Sequence, residues 1–142
     1  MKTATEKFFS VSIKHAKHRS VLKGIAFDAR ITPTYLAGLY DGQSGRCALS
    51  GVPMSLERGG DWYGGKNPFV CSMDRIDNSM GYTIGNIHLA TARANNLRGD
   101  TPVQEFVKFC KLVAANKPHC ADTDIVGDFL AIKPMLSALS IR

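Results

Sequence analysis

The sequence predicts an α+β fold in a single domain, in which a β-hairpin followed by one helix is flanked by further helices. The chain has 142 residues and 44% hydrophobic content, which suits one globular domain with its own core. Short apolar runs at 69–73 and 86–89 are followed at 90–97 by a segment rich in Ala, Arg and Leu. That order predicts two strands and then a helix.

The N-terminal segment, 1–44, is predicted to be helical. Thr3 and Glu6 have the spacing of a capping box, and Gly24 is a natural helix stop, which together predict a helix over about 4–23. A Thr-Pro pair at 32–33 then predicts the start of a second helix, with the proline as its first residue.

Two features separate this segment from the hairpin. A short strand is predicted at 46–49, and the glycine-rich stretch 57–68 is predicted to be a loop. Within that loop, the aromatic pair Trp62-Tyr63 is expected either to pack over the core, which is the usual place of such a pair, or to contact a ligand.

The C-terminal segment, 101–142, is predicted to be a helical extension. Thr101-Pro102 provides an N-cap and a first-turn proline for a helix that ends near Asn116. Apolar stretches at 125–130 and 135–139 predict either a last helix or an oligomer contact.

Positive charge is concentrated near the N-terminus. The net charge is +6, and the first thirty residues hold seven Lys or Arg against two acidic residues. A charge run by itself is most often a solvated helix face, but beside a site for phosphate chemistry it favours double-stranded DNA as the partner. The first-helix side chains expected to contact DNA are Lys14, Lys17, His18, Arg19 and Lys23.

We expect neither a membrane span nor an exported protein. No stretch approaches the roughly 20 apolar residues of a span, and the N-terminus lacks the apolar core of a signal peptide. The four cysteines include no CxxC pair, which favours a reduced, cytoplasmic setting.

Acidic, amide and basic side chains gather in the segment 72–100. Asp74 follows the first strand and Asn95 lies on the helix, so a hairpin followed by a helix brings the two to one point. Carboxylate and amide oxygens are hard ligands that suit Mg²⁺ or Mn²⁺, with water and phosphate oxygens completing the coordination. Asp77 is a further carboxylate that could bind a metal. It lies in the loop beyond the strand, however, where a carboxylate more often accepts backbone N–H bonds or orients Arg75 than binds a metal.

The segment 45–100 resembles the HNH, or ββα-metal, nuclease family. Its DRID, GYT and NLRGD stretches are similar to a pattern found in many bacteriophage HNH nucleases. The resemblance implies a ββα-metal core with one divalent ion, Mg²⁺ or Mn²⁺, on Asp74 and Asn95. It also implies that Asn86 holds the hairpin geometry, and that Arg98, where the family usually has Lys, contacts a phosphate.

Arg75 occupies the position of the family's catalytic histidine. A guanidinium stays protonated and cannot act as a general base, but it can stabilise charge that develops on the scissile phosphate. Some HNH restriction enzymes have the same Asp-Arg pair. Water could instead be activated by His88, because histidine is the most frequent general base in enzymes, by Tyr82, or by the metal itself. His88 is equally well explained as a strand residue that fills space.

Many members of the family also carry a structural zinc held by two CxxC pairs. Here the first pair would combine Cys47 with Ser50, and the second has no cysteine, so we expect no structural zinc. Apolar packing that includes Cys47 and Cys71 is expected to hold this end of the fold.

These residues together predict a divalent-metal-dependent DNA endonuclease that hydrolyses phosphodiester bonds. Its resemblance implies a phage or mobile-element gene and action in the host cytoplasm. The alternative is a non-catalytic DNA-binding module, an HNH scaffold whose histidine has been lost to Arg75. A monomer would nick one strand, whereas a homodimer would place two sites on opposite strands, and the sequence leaves both open.

Overall fold

The computed structural model describes residues 1–59 and 66–116. Within these ranges the elements confirm the predicted α+β architecture of a hairpin-plus-helix core between flanking helices. The chain divides into two compact units, Met1–Asp100 and Thr101–Arg142, so the predicted segments 1–44 and 45–100 share the first unit. The elements are α1 (Ala4–Lys23), α2 (Pro33–Gly42), β1 (Cys71–Arg75), β2 (Ile87–Thr91), α3 (Ala92–Arg98) and α4 (Val103–Asn116).

The first helix, α1, forms where its capping residues predict. Thr3 Oγ1 accepts from the Glu6 backbone N–H at 3.1 Å, and Glu6 Oε2 accepts from the Thr3 N–H at 2.9 Å. Gly24 ends the helix at φ 64° and ψ 33°, a left-handed conformation that costs glycine no strain. One face buries Phe9 and Ala16, so the Lys and Arg side chains of α1 remain in water.

The second helix, α2, packs against α1 and is tied to the sheet. Thr32 caps its N-terminus by accepting from the Tyr35 N–H at 3.1 Å, and Leu36 is fully buried. Just beyond its C-terminus, the Gln43 amide donates to the Leu89 carbonyl and accepts from the Leu89 N–H, both at 2.9 Å. The Gln43 side chain therefore takes up both backbone groups of Leu89, as a neighbouring strand would.

In the antiparallel hairpin, Asp74 of β1 lies directly opposite His88 of β2. The predicted first strand, 69–73, is displaced by two residues. The displacement arises because residues 69 and 70 pair with Ser55 instead: Ser55 N–H donates to the Phe69 carbonyl, and Cys71 N–H donates to the Ser55 carbonyl, both at 2.8 Å. Asp74 consequently lies inside the strand rather than after it.

The predicted strand at 46–49 is wrong. Arg46 makes one isolated bridge to Pro53, and the chain between them turns, with the Gly51 N–H donating to the Cys47 carbonyl at 2.8 Å. The Ala48 N–H donates to the Leu89 carbonyl at 2.9 Å. The apolar run is therefore a tight turn that is hydrogen-bonded to the edge of β2.

The third helix, α3, follows β2 without a loop. Thr91 Oγ1 caps it by accepting from the Ala94 N–H at 3.2 Å. Because Ala90 still pairs with Ser72 across the hairpin, the helix begins two residues later than the predicted start at residue 90. Its last residue is Arg98.

A close backbone approach joins the segment after α1 to the hairpin loop. Tyr82 N–H donates to the Ala26 carbonyl at 2.9 Å, and Asp28 N–H donates to the Tyr82 carbonyl at 2.8 Å. A Cβ on Gly81 would lie 2.3 Å from the Ala26 carbonyl oxygen, so only glycine allows this approach. The contact places the end of α1 beside the loop.

In the second unit, α4 confirms the predicted helix that ends at Asn116. The predicted apolar stretches after residue 124 lie outside the described residues, as does the Trp62-Tyr63 pair. Across the part of the chain that the structure describes, no helix has both the length and the apolarity needed to cross a membrane.

Candidate functional site

A cavity of about 380 Å³ opens between the end of α1, the hairpin and α3. Its wall is mainly polar and charged. The cations come from α1 and β1, and the carboxylates are those of Asp74 and Asp100. Six of the sequence-predicted site residues line it, namely Arg19, Lys23, Asp74, Arg75, Tyr82 and Asn95.

Asp74 supplies a buried carboxylate to this cavity, with a side chain only 4% exposed. Arg98 Nη2 donates to Asp74 Oδ1 at 2.7 Å, and His88 Nε2 lies 2.7 Å from Asp74 Oδ2. Each oxygen thus has one protein partner and retains a second lone pair. The carboxylate is held in one orientation while it keeps the capacity to bind a cation.

His88 reaches Asp74 because the two residues are paired across the hairpin. An ionised carboxylate only accepts hydrogen bonds, so a hydrogen bond between the two requires a proton on Nε2 of His88. The residues that line the cavity include Tyr82 but not His88. The structure therefore places His88 against a candidate metal ligand rather than in the cavity wall.

Arg98, which the resemblance places at a phosphate, is buried, with a side chain 1% exposed. Its Nη2 donates to the Asp74 carboxylate, to the Arg75 carbonyl and to Asn78 Oδ1. A buried charge requires a partner, and Asp74 is the counter-ion that Arg98 meets. The guanidinium therefore holds Asp74 in place and does not face solvent.

Asn95, from α3, lines the same cavity as Asp74. Its Nδ2 donates to Ser72 Oγ at 3.0 Å and to the Met73 carbonyl at 3.4 Å, which orients the amide. An amide held through its nitrogen offers its oxygen to a cation. The two predicted metal ligands are thus brought together by the hairpin and α3.

Asn86 closes the loop between the strands. Its Oδ1 accepts from the Asp77 N–H at 2.9 Å, and its Nδ2 donates to the Asp77 and Gly81 carbonyls at 3.0 and 2.9 Å. These are hydrogen bonds of the kind predicted for it. The Asp77 carboxylate accepts from both the hydroxyl and the N–H of Ser79, which holds the pKa of Asp77 below its usual range.

Arg75 bridges the same loop. Its Nη1 donates to the Asn78 and Met80 carbonyls at 3.1 and 2.7 Å, and its guanidinium carbon lies 5.5 Å from the centre of the Tyr82 ring. Tyr82 is buried, and its ring centre lies 5.6 Å from that of Phe27. Arg75 thus presents a fixed positive charge to any anion in the cavity.

The predicted DNA-binding residues of α1 fall into two groups. Arg19 and Lys23, one helical turn apart, line the cavity. Lys14, Lys17 and His18 are exposed on the same helix but do not line it.

Asn78 is a residue that sequence reasoning missed. Its Nδ2 donates to the Gly99 carbonyl and to Asp100 Oδ1, both at 3.1 Å, and its Oδ1 accepts from Arg98. It thereby joins the loop to the end of α3. The DRIDN stretch gives no local signal of this, because the partners lie more than twenty residues away in the sequence.

The donor set fits a hard divalent cation. Asp74 and Asn95 provide oxygen ligands, and Mg²⁺ is commonly bound by one or two carboxylates with waters and substrate phosphates. Within residues 1–59 and 66–116, no three His, Cys, Asp or Glu side chains cluster as a complete metal cage. An ion here would therefore draw its remaining ligands from water and phosphate.

Cys47 and Cys71 are buried free thiols in the core, as the predicted packing requires. Burial raises the pKa of Cys71 to about 12. Thr91 N–H donates to Cys47 Sγ at 3.3 Å, which adds a polar contact to this packing.

The chain is similar in structure to the rare-cutting HNH restriction endonuclease PacI. The TM-score is 0.54, with 19% sequence identity over 75% of this chain and 77% of that one. The core has an HNH, or ββα-metal, fold. No protein-family model and no curated protein matches the sequence, so the likeness is one of fold.

In the HNH fold of this chain, the hairpin provides Asp74 and the following helix provides Asn95. The fold confirms the predicted ββα core, and the roles of individual side chains stay predictions.

Proposed function

We propose that this protein is a divalent-metal-dependent DNA endonuclease that hydrolyses phosphodiester bonds. The observation that carries the proposal is that Asp74 and Asn95 line one cavity with the cations Arg19, Lys23 and Arg75, on an HNH fold. The oxygen ligands suit a metal ion and the cations suit phosphates, and a phosphodiester hydrolase needs both.

Each side chain then has a distinct task. Asp74 and Asn95 would hold Mg²⁺ or Mn²⁺, and that ion supplies charge neutralisation at the scissile phosphate. Arg75, fixed by the loop carbonyls, binds a phosphate oxygen and stabilises the charge that develops there. Arg19 and Lys23 bind neighbouring phosphates of double-stranded DNA. The resemblance in DRID and GYT supports a phage or mobile-element gene and action in the host cytoplasm.

The remaining residues position this machinery. Arg98 and His88 hold the two oxygens of Asp74, and Asn86 holds the loop that carries Arg75 and Tyr82. Partners that orient a metal ligand typically change metal affinity by about 10–100-fold when removed. An effect of these residues on metal affinity can therefore be distinguished from an effect on the cleavage step by varying the metal concentration.

Supercoiled plasmid is expected to be nicked or linearised with Mg²⁺ or Mn²⁺ and to stay intact with excess chelator. The physical reason is that two protein oxygen ligands cannot neutralise a phosphate without the cation. Gel electrophoresis of the products measures this directly. Equal cleavage in chelator would contradict the metal assignment, and the ratio of nicked to linear product would distinguish single-strand from paired cuts.

Tyr82 and His88 are expected to respond differently to substitution. Tyr82 lines the cavity, so Tyr82→Phe should lower the rate by about 10²-fold or more at saturating metal if its hydroxyl activates water. His88 binds Asp74, so His88→Ala should raise the metal concentration needed by about 10–100-fold and recover its rate at saturation. The measurement is a metal titration of the cleavage rate.

A loss in His88→Ala that persists at saturating metal would instead assign the general base to His88. If both Tyr82→Phe and His88→Ala cleave at the wild-type rate at saturating metal, the metal ion rather than either side chain activates the water.

A second function is favoured by one observation. The Arg75 Nη1 is already bound to loop carbonyls, and by the resemblance this residue replaces the family's catalytic histidine. A non-catalytic DNA-binding module on the HNH scaffold predicts salt-sensitive DNA binding with no cleavage under any divalent ion. The same plasmid assay, paired with a binding measurement, decides between the two.

A further inference from the structure

A second cavity, of about 520 Å³, adjoins α3 and lies outside the site described above. Its wall carries three cationic side chains, from Arg58, Lys66 and Arg93, and no acidic residue is among those that line it in the described part of the chain. The first cavity, in contrast, contains the carboxylates of Asp74 and Asp100. The second cavity is therefore a place for an anion rather than for a metal ion.

The two cavities are neighbours on α3 and share two lining residues. Ala92 and Asn96, both on α3, line each of them. An extended polyanion that occupies the first cavity can therefore reach the second by passing over this face of α3.

The three cations differ in how they are held. The Arg58 guanidinium lies 4.1 Å from the centre of the Phe8 ring, and its Nη2 donates to Ser12 Oγ at 2.7 Å. It is thus a fixed charge supported by α1. Lys66 and Arg93 are exposed, and neither forms a salt bridge with any residue in 1–59 or 66–116.

We propose that this second cavity binds the phosphodiester backbone of double-stranded DNA beside the cleaved bond, through Lys66, Arg93 and Arg58. The proposal rests on the proposed function, since it extends the path of the same DNA across α3. Contacts of this kind carry no sequence information, so they set affinity and register rather than specificity.

The physical signature is electrostatic. Each phosphate contact that is lost lowers the slope of log affinity against log salt by roughly 0.9. Removing Lys66 and Arg93 together should therefore reduce the slope by about 2 and weaken binding by about 10-fold or more at moderate salt. Cleavage at saturating DNA should stay at the wild-type rate, because neither side chain lines the first cavity.

The test is fluorescence anisotropy with a labelled DNA duplex in chelator, so that binding is measured without cleavage. The variant Lys66→Ala/Arg93→Ala is compared with Lys2→Ala/Lys7→Ala, which removes two exposed charges that line neither cavity. The first pair should lower affinity and salt slope as stated, and the second should leave affinity within about 2-fold.

If the two double variants bind DNA equally, and the wild-type protein binds and cleaves it, the proposed endonuclease function still holds but the proposal for the second cavity is wrong. A loss of cleavage rate at saturating DNA in Lys66→Ala/Arg93→Ala would also overturn it, because the residues would then act on chemistry. Wild-type protein that neither binds nor cleaves DNA would overturn both proposals.

Discussion

Replacing Asp74 with asparagine is expected to lower the rate of DNA cleavage by about 10³-fold, equivalent to roughly 4 kcal/mol of transition-state stabilisation. The substitution keeps the size of the side chain but removes the only charged ligand proposed for the metal. The measurement is the initial rate of plasmid cleavage at saturating Mg²⁺, at a temperature where circular dichroism shows the variant to be folded.

Asp77→Asn is the matched control for this loss. Asp77 lies three residues further along and is exposed, and its carboxylate accepts hydrogen bonds from Ser79. Its substitution should leave the rate within a few-fold of wild type. A folded Asp74→Asn variant that cleaves at the wild-type rate would remove Asp74 from the catalytic machinery and leave it a structural partner of Arg98.

Replacing Arg98 with methionine is expected to lower the free energy of unfolding by about 3–5 kcal/mol. Asp74 and Arg98 form a buried ion pair at 2.7 Å, with side chains 4% and 1% exposed. Removing Arg98 leaves the buried Asp74 carboxylate without its guanidinium partner and with His88 as its remaining side-chain contact, and this costs more than the pair itself contributes. Urea unfolding in chelator measures the change without any contribution from bound metal.

Arg93→Met is the control, since Arg93 is exposed on the same helix and the substitution is the same. Its free energy of unfolding should stay within about 0.5 kcal/mol of wild type. Arg98→Lys keeps the charge and should fall between the two variants. A change below about 1 kcal/mol in Arg98→Met would mean that His88 and water satisfy Asp74 without Arg98.

Helices with local start and stop signals were the part of the fold most accessible from sequence. The capping box at Thr3 and Glu6, the glycine after Lys23 and the proline at residue 33 act within one helical turn, and each element begins or ends where these residues predict. Such signals need no knowledge of distant partners.

The strands were less predictable because their partners are distant. The shift of β1 depends on Ser55, and the turn at 47–51 depends on Leu89, which lies some forty residues further on. Apolar runs indicate buried segments, but periodicity alone does not say which backbone groups a short run will meet.

The candidate site divides in the same way. The residue types at Asp74 and Asn95 predicted a shared location, and both line one cavity. What sequence could not provide is which cations face water. Arg98 and Arg19 look alike in the sequence, yet Arg98 is enclosed by Asp74 and Asn78 while Arg19 lies on the cavity wall.

The close approach of Gly81 to Ala26 determines whether the HNH-fold core could be transferred to another protein by itself. The core at 45–100 is completed by residues that precede it: Ala26 receives a loop hydrogen bond, Phe27 covers Tyr82, and Gln43 satisfies Leu89. Excising the core would strip those backbone groups of their partners and uncover an aromatic ring. The hairpin and α3 therefore do not form an independent unit. A fusion of this core to another protein would have to include α1 and α2.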